Sequence, residues 1–166
     1  MTPPSRKKSA VDTSHFQACL KTPFAVLGIR TDGDYLTDIE FLPRKHPVLE
    51  PLTPAAALAW EQLDAYVKDP SFRFTLMLSI GGTLHQMAVW RAMQQIPCGE
   101  TRTYGELARA IKSAPRAVGQ ACGKNPVPII IPCHRIVSST GMGGFMGAQD
   151  GDPIKIKQWL LAHERG

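Results

Sequence analysis

Cys133 and His134 stand side by side at the end of the run Asn125-Pro126-Val127-Pro128-Ile129-Ile130-Ile131-Pro132-Cys133-His134-Arg135-Ile136-Val137. A thiolate is a strong nucleophile, and a neighbouring imidazole can take the proton that a thiol must lose. Three prolines stiffen the path of the chain up to the pair. Adjacent residues on an extended strand point to opposite faces, so the two side chains can cooperate only where the chain turns. A helical turn is therefore predicted to begin near Pro132. Taken alone, Cys133 is as well explained by a buried structural thiol, because cysteine is among the most buried residue types.

The rest of the chain bounds what such a pair can be used for. Its 166 residues allow one compact domain or two small ones. A net charge of +5 favours anionic partners such as nucleic acid, although weakly by itself. The four cysteines, Cys19, Cys98, Cys122 and Cys133, include no C-x-x-C pair and suit neither a zinc finger nor a disulfide framework. Free thiols in a reducing cytoplasm are the simplest expectation. Residues 1–10 are polar, with Arg6, Lys7 and Lys8, and read as a disordered basic tail rather than a signal peptide. No apolar run approaches the ~18 residues of a membrane span.

The elements that must position the pair follow from local pattern. Phe24-Ala25-Val26-Leu27-Gly28-Ile29 is apolar, Asp32-Gly33-Asp34 is a turn signal, and residues 35–42 alternate, which predicts a hairpin. Thr53-Pro54 opens a helix with Ala56, Trp60, Leu63 and Val67 on one face, closed by Asp69-Pro70. Residues 72–80 alternate in part and are predicted to form a further strand. Gly81-Gly82 marks a boundary between an N-terminal unit, 1–80, and a C-terminal unit, 81–166. Thr83 with Gln86 and Thr103 with Glu106 are capping boxes, opening helices that run to about Gln95 and Ile111. After a turn at Lys112-Ser113-Ala114, Pro115 starts a helix for which Gly123 is the expected C-cap. These last two short helices make a helix-turn-helix candidate. Residues 141–151 are a glycine-rich loop, and Asp152-Pro153 opens a final helix with Ile156, Leu160 and His163 near one stripe.

Several motifs in one order carry more than any of them alone. Thr103-Tyr104-Gly105-Glu106-Leu107-Ala108, Arg116-Ala117-Val118-Gly119, Asn125-Pro126-Val127-Pro128, Ile131-Pro132-Cys133-His134-Arg135-Ile136-Val137 and Trp159-Leu160-Leu161-Ala162-His163-Glu164 together resemble the O6-alkylguanine-DNA alkyltransferases, strongly over residues 83–164. The resemblance implies an α+β fold: an N-terminal RNase H-like sheet with a helix, and a mostly helical C-terminal domain with a winged-helix-like helix-turn-helix. It implies a protein that flips a damaged nucleotide out of double-stranded DNA from the minor groove and takes the alkyl group irreversibly onto its own cysteine. O4-alkylthymine is the expected second substrate, a monomer the expected state, and no membrane partner is expected.

The same resemblance assigns roles. Cys133 is the acceptor, His134 its base through a water, and Glu164 the group that orients the imidazole. Asn125 holds the active-site turn, and Tyr104 donates to the departing guanine oxygen and lies near the target phosphate. Arg116 fills the vacated base stack, while Ala114, Ala117, Gly119 and Ala121 let the helix approach a groove about 6 Å wide. Val137, Phe145 and Met146 line the base pocket. Gly144-Phe145-Met146-Gly147-Ala148 departs from the family's usual Gly-Tyr-x-Gly-Gly, losing a hydroxyl and placing Met146 where a small or polar residue is usual. Gln149 to Asp152 reads as a short insertion. Some relatives carry a zinc site, but His15, Cys19, His46 and His85 lack its cysteine pair, so no metal is expected.

The residue types suit that chemistry. Displacement at an alkyl carbon needs a nucleophile stronger than a hydroxyl, and an ordinary cysteine, with pKa about 8.5, is only slightly ionised at neutral pH and needs a base. The thioether product offers water no good leaving group, so the protein is consumed. There is no dinucleotide fingerprint or phosphate loop, and no cofactor is expected. Three other readings share some features: a non-catalytic binder of alkylated bases, a transcription factor sensing alkylation through Cys133, and a cysteine hydrolase. Arg135 is read as structural, in an ion pair or as a donor to backbone.

Overall fold

In the computed structural model, which describes residues 15–147 and 151–166, a three-stranded antiparallel sheet opens the fold. β1 (Ala18–Lys21) pairs antiparallel with β2 (Val26–Asp32), and β2 pairs antiparallel with β3 (Tyr35–Leu42). The β2–β3 hairpin turns at Gly33, whose φ of +58° suits glycine. Both sheet faces are buried. Ala18, Leu20, Leu27, Ile29, Leu36 and Ile39 join the main core, and Cys19, Val26 and Leu42 pack with Phe16 in a smaller one. Gly28 lies beneath the Phe16 ring, where a Cβ would come within 2.5 Å of a ring carbon, so no larger residue fits.

α1 (Pro54–Lys68) crosses the sheet. Thr53 caps it by accepting from the Ala56 amide at 3.1 Å. Its buried stripe is Ala56, Ala59, Gln62, Leu63 and Tyr66. The stripe is rotated from the predicted one: Trp60 and Val67 lie at its partly buried edges.

The predicted strand at 72–80 is not one. Side chains do alternate, with Phe72, Phe74, Leu76, Leu78 and Ile80 partly buried and the intervening residues exposed. Among the described residues its one strand-type pairing is the Leu36–Leu78 bridge, with Leu36 donating to Met77 and Ser79 donating to Leu36. Alternation here reflects an extended segment lying on the core without a ladder.

Both capping boxes form. α2 (Leu84–Gln94) starts at Thr83 and α3 (Tyr104–Ala110) at Thr103, each with reciprocal side-chain bonds to the third helical residue. α4 (Pro115–Gly123) follows a turn in which Lys112 takes φ +55°. Gly123 is not the C-cap; it is the last helical residue, and Lys124 takes the cap. A Cβ there would make only an ordinary contact with the Gly147 backbone nitrogen, at 3.7 Å. α5 (Asp152–Arg165) ends the fold, burying Ile156, Lys157, Leu160, Leu161 and Glu164. The basic tail and part of the reputed insertion, Gln149 and Asp150, lie outside the described residues.

Two features absent from the sequence reading position the cysteine turn. β4 (Arg102–Thr103) pairs parallel with β5 (Ile136–Val137), tying the start of α3 to the chain just after Cys133. The two halves of the chain also interlock: Ile39 donates to Pro126 O at 2.9 Å, the Phe24 and Trp159 rings lie 4.6 Å apart, and Phe41 meets Phe145 at 5.7 Å. Among the described residues no helix is long and apolar enough to cross a membrane.

Trp90 is buried on α2 and donates its indole N–H to Ala121 O on α4 at 2.9 Å. Trp90→Phe keeps most of the packing but removes this bond, so urea denaturation should show a loss of about 1–2 kcal/mol with little change in slope.

Candidate active site

The site begins where α4 cannot continue. Asn125 precedes a proline, which disfavours helical backbone, and its buried amide is used twice. Nδ2 donates to Ile131 O at 2.8 Å, and Oδ1 accepts from the Val127 amide at 3.0 Å. The loop between them holds Ile129 at φ +75°, an uncommon conformation for a β-branched residue that costs of order 1–3 kcal/mol. Ile131 O accepts a second bond from the Cys133 amide at 2.8 Å, across Pro132 at φ −82° and ψ 67°. That is an inverse γ-turn. It leads directly into a 3-10 turn, Cys133–Arg135, closed by Arg135 N donating to Pro132 O at 3.0 Å. The turn predicted near Pro132 is thus present, and Cys133 and His134 do not alternate across a strand.

His134 is fully buried, and its Nε2 lies 2.7 Å from Glu164 Oε2 on α5. The carboxylate is crowded with donors. Arg135 Nε reaches Oε1 at 2.8 Å, Arg135 Nη2 reaches Oε2 at 3.0 Å, and Tyr66 OH donates to Oε2 at 2.7 Å. Burial alone would raise the Glu164 carboxyl, but hydrogen bonds from His134 and Arg135 outweigh it and hold the group well below the usual carboxylate range. An ionised carboxylate can only accept, so His134 must carry its proton on Nε2. Nδ1 is then a bare lone pair, and it is a buried polar atom that bonds to no group among the described residues. Burial also pulls the His134 pKa down despite its carboxylate partner, keeping the ring neutral and able to accept a proton. Arg135 is structural, as read: besides gripping Glu164 it donates to Ile96 O at 2.6 Å.

Cys133 is 4% exposed but lines a cleft of about 440 Å³. Burial pushes its thiol up to about 11, opposed by the Asn125 side chain and the Lys157 charge. Tyr104, Arg116, Gly119, Cys122 and the Gly144-Phe145-Met146-Gly147 loop share the cleft wall. Met146 Sδ lies 4.0 Å from the Cys133 sulfur. Tyr104 OH reaches Gly144 O only at 3.4 Å, and burial raises its pKa to about 12, so it stays a protonated donor at neutral pH.

The predicted residues do not all meet. Cys133, Tyr104, Arg116, Gly119, Phe145 and Met146 line one cleft, with His134, Glu164 and Asn125 packed behind it. Arg116 is exposed, as is Ala114 at the N-cap of α4, while Ala117 and Gly119 are half-buried. Ala121 does not share their face: it is 3% exposed and turned into the core, its carbonyl taken by Trp90. One turn of helix separates it from Ala117, but the helix sinks into the core at that end. Val137 is paired in β5 and is not part of the cleft lining.

Three residues of the site were missed. Tyr66 sits three positions after Leu63, on the buried stripe of α1, and no local pattern marks its partner. Lys157 is fully buried and donates to Ile136 O, Met142 O and Gly144 O at 2.6, 2.7 and 2.9 Å. Burial draws its pKa down to about 8, opposed by the neighbouring Cys133 and Cys122. Its place between Ile156 and Leu160, two turns before Glu164, was the available signal. Cys122, a buried core thiol, lines the same cleft, its sulfur 3.6 Å from Met93 Sδ.

Residues 84–166 match the family described as 6-O-methylguanine DNA methyltransferase, DNA binding domain. A methylated-DNA–protein-cysteine methyltransferase of Mycolicibacterium paratuberculosis is 46% identical over 114 residues, which are 67% of this chain and 66%, just under two thirds, of that relative. One from Mycobacterium bovis is 39% identical over 153 residues, 88% of this chain and 90% of the relative. The crystal structure of Mycobacterium tuberculosis O6-methylguanine methyltransferase superposes with a TM-score of 0.77 at 34% identity, covering 91% of this chain and 92% of that one. Mycobacterium tuberculosis OGT in complex with DNA gives 0.73 at 37% identity, covering 89% and 91%.

Two outcomes follow for stability. Glu164→Ala leaves Arg135 and Tyr66 without their acceptor and should cost about 3–5 kcal/mol in chemical denaturation. Both His134 and Glu164 have folded pKa values below their unfolded ones, so their contribution is present above the unfolded values and is lost on acidification. Thermal melts should hold steady just above pH 6.5 and decline below it, as the unfolded histidine takes up protons the folded one refuses. The decline should steepen below pH 4.5.

Proposed function

The chain belongs to the methylated-DNA–protein-cysteine methyltransferase family, and from that premise we propose that it repairs O6-alkylguanine, and O4-alkylthymine, in double-stranded DNA by moving the alkyl group onto Cys133. The observation that carries this reading is the buried, unpartnered Nδ1 of His134, on a ring fixed by Glu164 and next in sequence to a cleft-lining thiol. The thiol gives its proton to Nδ1 through a water. The sulfur attacks the alkyl carbon, the carbon–O6 bond breaks, and Tyr104 donates to the oxygen as charge develops there. The guanine leaves protonated, and the thioether remains.

The nucleotide is flipped from the minor groove, because the alkyl carbon cannot reach a recessed sulfur from within a stacked duplex. Arg116, exposed at the cleft rim near the start of α4, takes the place of the extruded base. Ala114, Ala117 and Gly119 give that helix a low profile against the groove. Asn125 holds the cysteine turn, and Phe145 and Met146 form a wall of the base pocket. In this reading residues 1–80 are an RNase H-like unit, and 81–166 carry a winged-helix-like helix-turn-helix and the acceptor.

Intact-mass measurement after incubation with duplex containing O6-methylguanine should show one methyl group per chain, located on Cys133 and absent from Cys133→Ser. A mass that never changes favours a non-catalytic binder, and turnover beyond one equivalent favours a hydrolase; either outcome overturns the proposal. Because the thiol titrates at about 11, its alkylation by a small reagent should climb steadily between pH 7 and 9 without a plateau. Arg116→Ala should slow transfer from duplex by about tenfold or more, since unstacking costs a few kcal/mol, and leave transfer from a free alkylated base nearly unchanged.

A further inference from the structure

The cleft at Cys133 has a neighbour. A second cavity of about 620 Å³ lies beside it, with an apolar floor of Phe24, Ile39, Phe41, Ile156 and Trp159 and charged residues at its rim. The two cavities share one lining residue, Met146. Everything else on the thiol side belongs to α3, α4 with its cap, the cysteine turn or the glycine loop, and everything else on the far side to the sheet, its adjoining loops and α5.

Met146 is suited to be a movable wall. It is half-buried, and its sulfur touches the acceptor sulfur at 4.0 Å, so it occupies space next to the atom that receives the alkyl group. An unbranched thioether with three rotatable side-chain bonds repacks more readily than any other apolar residue of its size. Its backbone sits at φ +51°, where a side chain is tolerated at a cost and glycine at none. Gly144 and Gly147 flank the Phe145-Met146 pair, and Gly147 has open space where a Cβ would be. Phe145, by contrast, is 3% exposed and packed at a tilt against Phe41, so it is a fixed wall.

We propose that Met146 sets the size of alkyl group this protein accepts: its side chain partitions the thiol cleft from the apolar cavity behind, and its rotation admits groups that carry a flat ring. This rests on the reading of Cys133 as alkyl acceptor. The step itself is unchanged. The sulfur–carbon bond forms, the carbon–O6 bond breaks, and the thiol proton ends on the departing guanine. What differs is where the remainder of the alkyl group goes. A methyl group fits beside Met146 as it stands. A benzyl group requires Met146 to swing aside, and its ring then lies over Phe41 and Trp159.

The test compares duplex oligonucleotides carrying O6-methylguanine and O6-benzylguanine, with single-turnover rates read by intact mass. Within each protein the benzyl rate is divided by the methyl rate, so a general loss of activity cancels. Met146→Gly, which also relieves the positive φ, should raise this ratio at least tenfold, whereas Met146→Leu, of similar bulk, should leave it within about threefold of the parent. An unchanged ratio in the glycine variant overturns the proposal. If the parent transfers neither group, the acceptor reading fails instead. The parent supplies a check that needs no variant: in crystals of its benzylated form the ring should occupy the second cavity with the Met146 side chain displaced, and a ring seated with Met146 unmoved overturns the partition.

Discussion

The buried carboxylate of Glu164 is the interaction on which the rest of the site depends. It collects donors from two separate parts of the chain, Tyr66 on the helix that crosses the sheet and His134 and Arg135 on the cysteine turn, and ties both to a third, α5. A charge so far from water is tolerable only when its lone pairs are filled, and here the filling groups come from elements distant in sequence. The ion thus enforces a tertiary arrangement as well as a histidine tautomer. Removing it would loosen the packing of α1 against α5 as well as the orientation of the ring.

The thiol sits in a different electrostatic setting. Nothing in its surroundings holds it ionised at rest, because burial outweighs the Asn125 amide and the Lys157 charge. That suits an acceptor meant to meet one partner and otherwise stay inert toward stray electrophiles. Lys157 meanwhile ties together three carbonyls, one in β5 and two in the glycine loop, so a single ammonium fastens the chain on both sides of the cleft. The strained Ile129 and the γ-turn at Pro132 complete a rigid cradle.

What the sequence disclosed was whatever is written in neighbouring residues. Capping boxes at Thr83 and Thr103, the proline at the start of α4 and the Pro-Cys-His turn are local chemistry, and each appears where expected. Features that depend on distant partners stayed hidden. β1 has four residues, too few to show a pattern, and β4 and β5 have two each. The alternation at 72–80 was real, but a strand also needs a neighbour along its length. Ala121 looked like its small neighbours on α4, and only the packing of α2 reveals that it faces inward. Tyr66 and Lys157 are polar residues on apolar stripes, and periodicity cannot say which of these find a buried partner.

The rims of the small sheet are also spoken for. On one side Cys19 exchanges backbone bonds with Leu49, and Leu52 donates to Gln17. On the other, Leu36 is engaged by Met77 and Ser79, while Ile39 donates to Pro126 in the loop that leads to the cysteine. Exposed amides on a border strand are templates for uninvited strands from other molecules. By lending its own connecting segments to these positions, the chain guards against self-association during folding. One of those guards is the same peptide that shapes its reactive turn.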